Sequence, residues 1–139
     1  MKIKNFAMLA GMAGILAACG GTTKITEPAD LNDQRVFFAF NSSEISEDAN
    51  NNLLGQALYL KNHEDTKIQI AGNCDERGST EYNLALGARR ANAAKNVIVK
   101  EGIDPKRIST ISYGKERPLV QGTGEEVWKW NRNATTTVK

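Results

Sequence analysis

The stretch that most restricts how this chain folds runs from Lys67 to Ile98. Lys67-Ile68-Gln69-Ile70-Ala71 alternates polar and apolar residues, the period of a half-buried strand. Gly72-Asn73-Cys74-Asp75-Glu76-Arg77-Gly78-Ser79 follows, an acidic turn framed by two glycines. From Ser79 the apolar period changes, and Leu84, Gly87, Ala91, Ala94 and Ile98 recur at spacings of three and four, as one face of a helix does. That face is mostly small, so the helix is predicted to lie close against a sheet. A strand, a tight turn and a close-packed helix point to a mixed α and β domain.

The polar residues of the same stretch point to chemistry. Asn83 and Arg90 stand seven positions apart, nearly two helical turns, and share a face with Leu86 between them. Asp75 lies in the turn leading to the helix N-terminus. A carboxylate, an amide and a guanidinium are thus brought to one end of the element. Such a pocket suits a zwitterion, with Arg90 gripping a carboxylate in its planar fork and Asp75 accepting from an ammonium. Spacing alone equally allows a plain Asp75–Arg90 or Glu76–Arg77 ion pair on a solvated surface, because charged turns before helices are common.

This segment, through Tyr82-Asn83-Leu84-Ala85-Leu86-Gly87-Ala88-Arg89-Arg90-Ala91, resembles the signature of the OmpA-like peptidoglycan-binding domains. The Asp75-Glu76-Arg77-Gly78 turn, Arg89-Arg90-Ala91 and Ser112-Tyr113-Gly114-Lys115-Glu116-Arg117-Pro118 are similar, within that family, to the peptidoglycan-associated lipoproteins. The resemblance runs from about Val36 to the C-terminus. It implies a domain that holds the diaminopimelate of the peptidoglycan stem peptide without a covalent bond. Asp75 and Arg90 match the family's ligand-gripping positions and Asn83 a supporting one, with Asn41, Asn73 and Leu86 completing the pocket.

The chain also departs from the family pattern. Ala39 and Asn41 stand where acidic residues are frequent, Asn73 where histidine is usual, and Asn133 where Asn131-Arg132 is normally followed by a second arginine. Asn41 and Asn73 keep hydrogen-bonding ability without charge or titration near neutrality. Losing the arginine at position 133 is expected to remove an ion pair.

The N-terminal region reads as an address. Met1-Lys2-Ile3-Lys4 is a positive start, and the apolar run from Phe6 to Leu16 is about half of the roughly 20 residues that span a bilayer. Leu16-Ala17-Ala18-Cys19 resembles a bacterial lipobox, which implies cleavage before Cys19 and acylation of it. Several acyl chains anchor firmly, at about 0.8 kcal/mol per buried methylene. Gly20 follows Cys19 and no aspartate does, so the outer membrane is the expected destination, with the domain in the periplasm. Residues 1–18 are read as a signal peptide, 19–33 as the lipidated end and a tether, and 34–139 as the domain. Fully extended, 14 or so tether residues reach at most about 50 Å.

Further elements are local. Arg35-Val36-Phe37-Phe38-Ala39-Phe40 reads as the first strand. Ser46 can cap a helix carrying Leu53, Leu54, Ala57, Leu58 and Leu60. Ile108 to Ser112 alternates as a strand, Val127-Trp128-Lys129-Trp130 reads as a short helix with one tryptophan in the core and the other over the pocket rim, and Ala134 to Val138 is β-branched and closes the sheet. The expected fold is α+β, in the order β-α-β-α-β-β, with two main helices packed on a mixed four-stranded sheet.

Charge and residue counts exclude other classes. Without Lys2 and Lys4 of the leader, the 18 Lys+Arg fall to 16, level with 16 Asp+Glu, which argues against a nucleic-acid binder held by phosphate neutralisation. His63 is the only histidine, and Cys19 and Cys74 are far apart, so no metal spacing and no cofactor is expected. An enzyme is not expected, since only the lone Cys74 and lone His63 offer a nucleophile and base. The family resemblance adds the Tol system, notably its periplasmic β-propeller protein, as a partner in envelope integrity and cell division. The alternative is a structural lipoprotein whose altered pocket no longer holds the wall and which acts through protein partners.

Overall fold

The computed structural model describes residues 24–139. The expected signal peptide, Cys19 and the first residues of the expected tether lie outside the described residues. Four strands form one mixed sheet in the order β1-β4-β2-β3: β1 (Gln34–Phe37), β2 (Ile68–Asn73), β3 (Ile108–Gly114) and β4 (Asn133–Val138). β2 and β3 are parallel, and β4 pairs antiparallel with both β1 and β2. Helix α1 (Glu47–Asn62) joins β1 to β2, α2 (Thr80–Lys100) joins β2 to β3, and the short α3 (Glu125–Asn131) precedes β4. The expected order and sheet are both present.

Local chemistry sets the boundaries. The hydroxyl of Ser46 accepts from the Ala49 amide at 3.1 Å and that of Ser79 from Tyr82 at 3.1 Å, capping the two long helices. Gly102, at φ +100°, ends α2 in the left-handed region. Beyond the C-terminus of α1, Arg107 donates to the carbonyls of Leu60, His63 and Thr66 at 2.8–3.0 Å. His63 stacks on Tyr59, with ring centroids 3.9 Å apart.

The core lies between the sheet and the two long helices, where Val36, Ile68, Ile70, Ile108 and Ala134 meet Leu53, Ala57, Leu60, Ala91, Ala94 and Ile98. The small face of α2 brings backbones into contact: a Cβ on Gly72 would sit 1.7 Å from the Gly87 carbonyl oxygen. Leu84 corrects the sequence reading of that face, being 41% exposed; Asn83, Leu86 and Arg90 are buried in its stead. Polar burial is satisfied elsewhere too, since Gln56 accepts from Thr136 Oγ1 at 2.6 Å and donates to Asn52 at 2.7 Å.

Three expectations change. The first strand ends at Phe37 rather than Phe40, and Asn41 turns the chain at φ 55°. Neither tryptophan enters the core: Trp128 is half-buried, and Trp130 is 44% exposed with its ring edge-on to Phe37. Part of the expected tether is a strap packed on the domain. Leu31 is fully buried, Asp33 donates its amide to Thr136, and Asn32 accepts from Val138. Nearer its start the Thr26 carbonyl oxygen lies where a Cβ on Gly55 would come within 2.6 Å, and Glu27 accepts from Asn62. A compact apolar residue, Leu31, makes this possible within a stretch whose composition is otherwise that of a linker.

Candidate functional site

The site forms at the C-terminal end of β2, where the chain leaves the sheet and turns into α2. Cys74 continues the strand direction, its amide donating to the Gly114 carbonyl at 2.8 Å and its thiol to the Asn83 carbonyl at 3.3 Å. Asp75 follows, 4% exposed. The turn is closed from within by Asn83, whose Nδ2 donates to the carbonyls of Arg77 at 2.8 Å and Ser79 at 3.1 Å. Gly78 adopts φ +99°, a conformation that side chains resist, and its carbonyl accepts from Lys115 Nζ.

Asp75 is held by two arginines. Arg77 donates to it from its amide at 3.0 Å, from Nε at 3.1 Å and from Nη2 at 2.8 Å, and Arg132 Nη1 lies 3.5 Å away. The Arg77 guanidinium is sandwiched between Phe40, 3.9 Å from the ring centroid, and Trp128, 4.0 Å away. Trp128 in turn donates Nε1 to Glu76 at 2.7 Å. Arg132 is 6% exposed, forks onto Glu125 with bonds of 2.9 and 2.8 Å, and donates Nε to the Phe38 carbonyl.

Arg90 does not form the ion pair with Asp75 that the spacing also allowed. It is 1% exposed and donates to three backbone carbonyls, Ser42 at 2.8 Å, Asn73 at 2.9 Å and Ala39 at 3.1 Å. It forms no salt bridge with Asp75; its fork ties the segment after β1 to the end of β2. The other suggested pair, Glu76–Arg77, is replaced by Asp75–Arg77.

These residues surround a cavity of about 330 Å³ walled by Asp75, Arg77, Asn83 and Arg90, with Leu86 and Phe40 as apolar surface. Asn41 and Cys74 also line it. Five of the expected pocket residues, Asn41, Asp75, Asn83, Leu86 and Arg90, therefore come together. Asn73 does not. Strand alternation turns its side chain toward a separate concavity of about 300 Å³ that it shares with Arg35, Gln69 and Thr135. There it stands opposite Asn133 in the antiparallel ladder and donates to its Oδ1 at 2.9 Å. Two of the four departures from the family pattern are thus a single amide pair. Asn133 also donates to the Trp130 carbonyl and accepts from Thr135, which fixes its orientation and leaves Asn73 Oδ1 buried without a donor.

Arg77, Arg132 and Phe40 were not singled out as site residues by the sequence, whereas a tryptophan over the pocket rim was expected and Trp128 takes that place against Arg77. Arg77 sits two residues from Asp75, a spacing at which a turn can bring side chains together. Arg132 is 57 residues from its carboxylate, and no local pattern signals that pairing.

Electrostatics follow from these contacts. Burial alone would raise the Asp75 carboxyl, but hydrogen bonds and charge from Arg77, with Arg132 behind, outweigh it and hold Asp75 below the usual carboxylate range. The Arg132 fork lowers Glu125 in the same way, and Glu125 raises Arg132. Burial pushes the Cys74 thiol up, against a smaller opposing effect of Arg90. Arg90 itself is lowered by burial, in keeping with a guanidinium whose partners are neutral carbonyls. Among the described residues no group of three His, Cys, Asp or Glu side chains is placed to hold a metal ion. No helix of the described residues is long and apolar enough to cross a membrane.

Comparison with known proteins agrees with this architecture. The sequence profile of the OmpA family matches residues 37–132. A peptidoglycan-associated lipoprotein of Mesorhizobium japonicum is 42% identical over 137 residues, covering 99% of this chain and 80% of that one. A peptidoglycan-associated lipoprotein of Pasteurella multocida is 35% identical over 144 residues, covering 96% of each. The crystal structure of the peptidoglycan-associated lipoprotein from Burkholderia pseudomallei superposes with a TM-score of 0.74 at 38% identity, over 76% of this chain and 89% of that one.

Proposed function

The chain belongs to the OmpA family, among the peptidoglycan-associated lipoproteins, and from that premise we propose that it binds peptidoglycan non-covalently at the Asp75 cavity. The ligand is the diaminopimelate of the stem peptide, whose side chain ends in an ammonium and a carboxylate. Asp75 and Arg90 are the principal binding residues, with Asn83, Asn41 and Leu86 around them. One observation carries this reading: a buried carboxylate flanked by guanidinium groups opens onto a cavity with apolar surface, which suits a zwitterion on an aliphatic stem. Asn73 would then act through its backbone carbonyl, which Arg90 holds, rather than as a side chain in the pocket.

In this proposal residues 1–18 are removed as a signal peptide, Cys19 carries the acyl chains that sit in the outer membrane, and the domain reaches the wall from the periplasmic side. The strap supports such an arrangement. Leu31 to Asp33 pack at the C-terminal end of β4, beside the start of β2, whereas the cavity lies past the end of β2. A six-residue strand separates them by roughly 20 Å at about 3.3 Å per residue. The anchored end and the binding end are thereby opposed. Weak single contacts suffice, because many anchored copies face a polymeric lattice at high effective concentration. Engagement of the Tol system's periplasmic β-propeller protein, with roles in envelope integrity and cell division, belongs to the same proposal.

The test is co-sedimentation of the detergent-solubilised full chain with purified diaminopimelate-containing sacculi. Wild type is expected to pellet, and folded Asp75→Ala and Arg90→Ala to lose more than about tenfold in affinity. Folded wild type left in the supernatant would favour a structural lipoprotein that acts through protein partners.

A further inference from the structure

We infer that Arg77 is a specificity-determining residue: it occupies the cation position on Asp75 in the free protein and makes the pocket require a ligand carboxylate as well as an ammonium. This rests on the binding reading above and adds a residue and a selection rule to it.

The starting observation is that Asp75 is already saturated. Arg77 supplies three of its donors and Arg132 a fourth. An incoming ammonium reaches this carboxylate only by displacing one of them. Arg132 is the less movable, being 6% exposed and tied to Glu125 and the Phe38 carbonyl. Arg77 is the more movable, with a side chain 32% exposed and the cavity beside it.

The aromatic sandwich gives Arg77 a path. Phe40 and Trp128 occupy the two faces of its guanidinium at 3.9 and 4.0 Å, while its edge is spent on Asp75. Stacking fixes the plane of the guanidinium but no direction within it, so a shift of the partly exposed Arg77 stem can move it between the rings. The guanidinium can therefore turn its edge away from Asp75 while both rings stay on its faces. Among the described residues nothing accepts from its Nη1, so that edge is available to a ligand carboxylate.

Charge then sets the selection rule. The cluster holds three guanidinium groups, Arg77, Arg90 and Arg132, against the carboxylates of Asp75, Glu125 and the Trp128-bound Glu76, so the free site is balanced in charge. A side chain ending in an ammonium alone adds an uncompensated positive charge and strips Arg77 of its partner. A side chain ending in both ammonium and carboxylate adds none, and its carboxylate takes the released Arg77. Free energy of exchange thus favours diaminopimelate over lysine at the same position of a stem peptide, and Arg77 is the origin of the difference.

The experiment measures binding of two stem tripeptides, ending in meso-diaminopimelate or in L-lysine, to the detergent-solubilised full chain by calorimetry. Wild type, Arg77→Gln and Arg77→Lys are compared, with folding checked by circular dichroism. Wild type is expected to prefer the diaminopimelate peptide by more than tenfold. Arg77→Gln should reduce that preference to within about threefold, losing affinity for the zwitterion and none for the lysine peptide. Arg77→Lys, which keeps the charge without the stacked fork, should fall between. Retention of the full preference by folded Arg77→Gln or Arg77→Lys overturns the inference while leaving the wall-binding reading intact. Failure of wild type to bind either peptide overturns both.

Discussion

The two ends of β2 are made of different materials. Around Ile68 the strand meets Ile108, Leu60 and Ile98, and the strap closes over that end through Leu31; all five are buried hydrocarbon. Past Gly72 the apolar Leu86 is outnumbered by buried polar and charged residues, among them Asn73, Asp75, Asn83, Arg90, Arg132 and Asn133. The first end stabilises the fold by removing apolar area from water, so its residues matter through volume and fit. At the second end every group needs a named partner, and a replacement matters through what it leaves unpaired. Arg90 shows the logic most plainly: a buried guanidinium with no carboxylate of its own is satisfied by three carbonyls drawn from two separated segments.

The contrast is open to direct attack. The largest effect is expected at the apolar end, where Leu60→Ala should lower unfolding stability by about 2–5 kcal/mol in urea titration. Sacculus binding of the molecules that remain folded should be unchanged. A loss of binding in proportion to stability would erase the distinction between the ends. Next comes Arg132→Met, which keeps much of the volume and removes the partner of Asp75 and Glu125. It should cost about 1–3 kcal/mol, less than Leu60→Ala because Glu125 is exposed to water, and it should weaken sacculus binding. A variant that binds normally would show that Arg77 alone positions Asp75.

Smaller still is the amide pair. Asn133→Ala leaves Asn73 Nδ2 only the long 3.4 Å bond to the Ala71 carbonyl and is expected to cost about 1 kcal/mol, whereas adding Asn73→Ala should cost little more, a coupling of about 0.5–1.5 kcal/mol in a double-mutant cycle. Strict additivity would mean that the two residues do not act as a pair. The smallest effect near neutrality is that of pH. Asp75 and Glu125 both titrate lower in the folded chain than in the unfolded one, so the unfolded chain binds more protons in acid. Their contribution is complete above about pH 5, and it drains away as pH falls below about 4 and through the folded values. Asp75→Asn should flatten that part of a stability–pH profile, and an unchanged profile would place the acid sensitivity elsewhere.

Legibility in the sequence followed the range of each interaction. The strand, the acidic turn, the cap at Ser46 and the close approach at Gly87 are written in residues near one another, and periodicity exposes them. The face of α2 was misjudged at Leu84 because the helix end buries polar residues, Asn83 and Arg90, that a hydrophobic pattern passes over. Arg132 and the Ser42 and Ala39 carbonyls reach their partners from 57, 48 and 51 residues away, distances at which no local pattern speaks. Leu31 was hidden for another reason: one leucine in a linker-like stretch suffices to dock it. Asn73 illustrates the pleat, since a family motif names a position but the strand's alternation decides which face its side chain takes.

The most direct measurement is a nitrogen–proton chemical-shift titration of the full chain in detergent with a stem tripeptide ending in meso-diaminopimelate. Saturable shifts are expected at the amides of Asp75 to Asn83 and at the side chains of Arg77 and Arg90, with Ile68, Leu60 and Leu31 unmoved, and Asp75→Asn should abolish the saturation. Shifts confined to the opposite end of the strand, or saturation that survives Asp75→Asn in the folded protein, would contradict the assignment of the site.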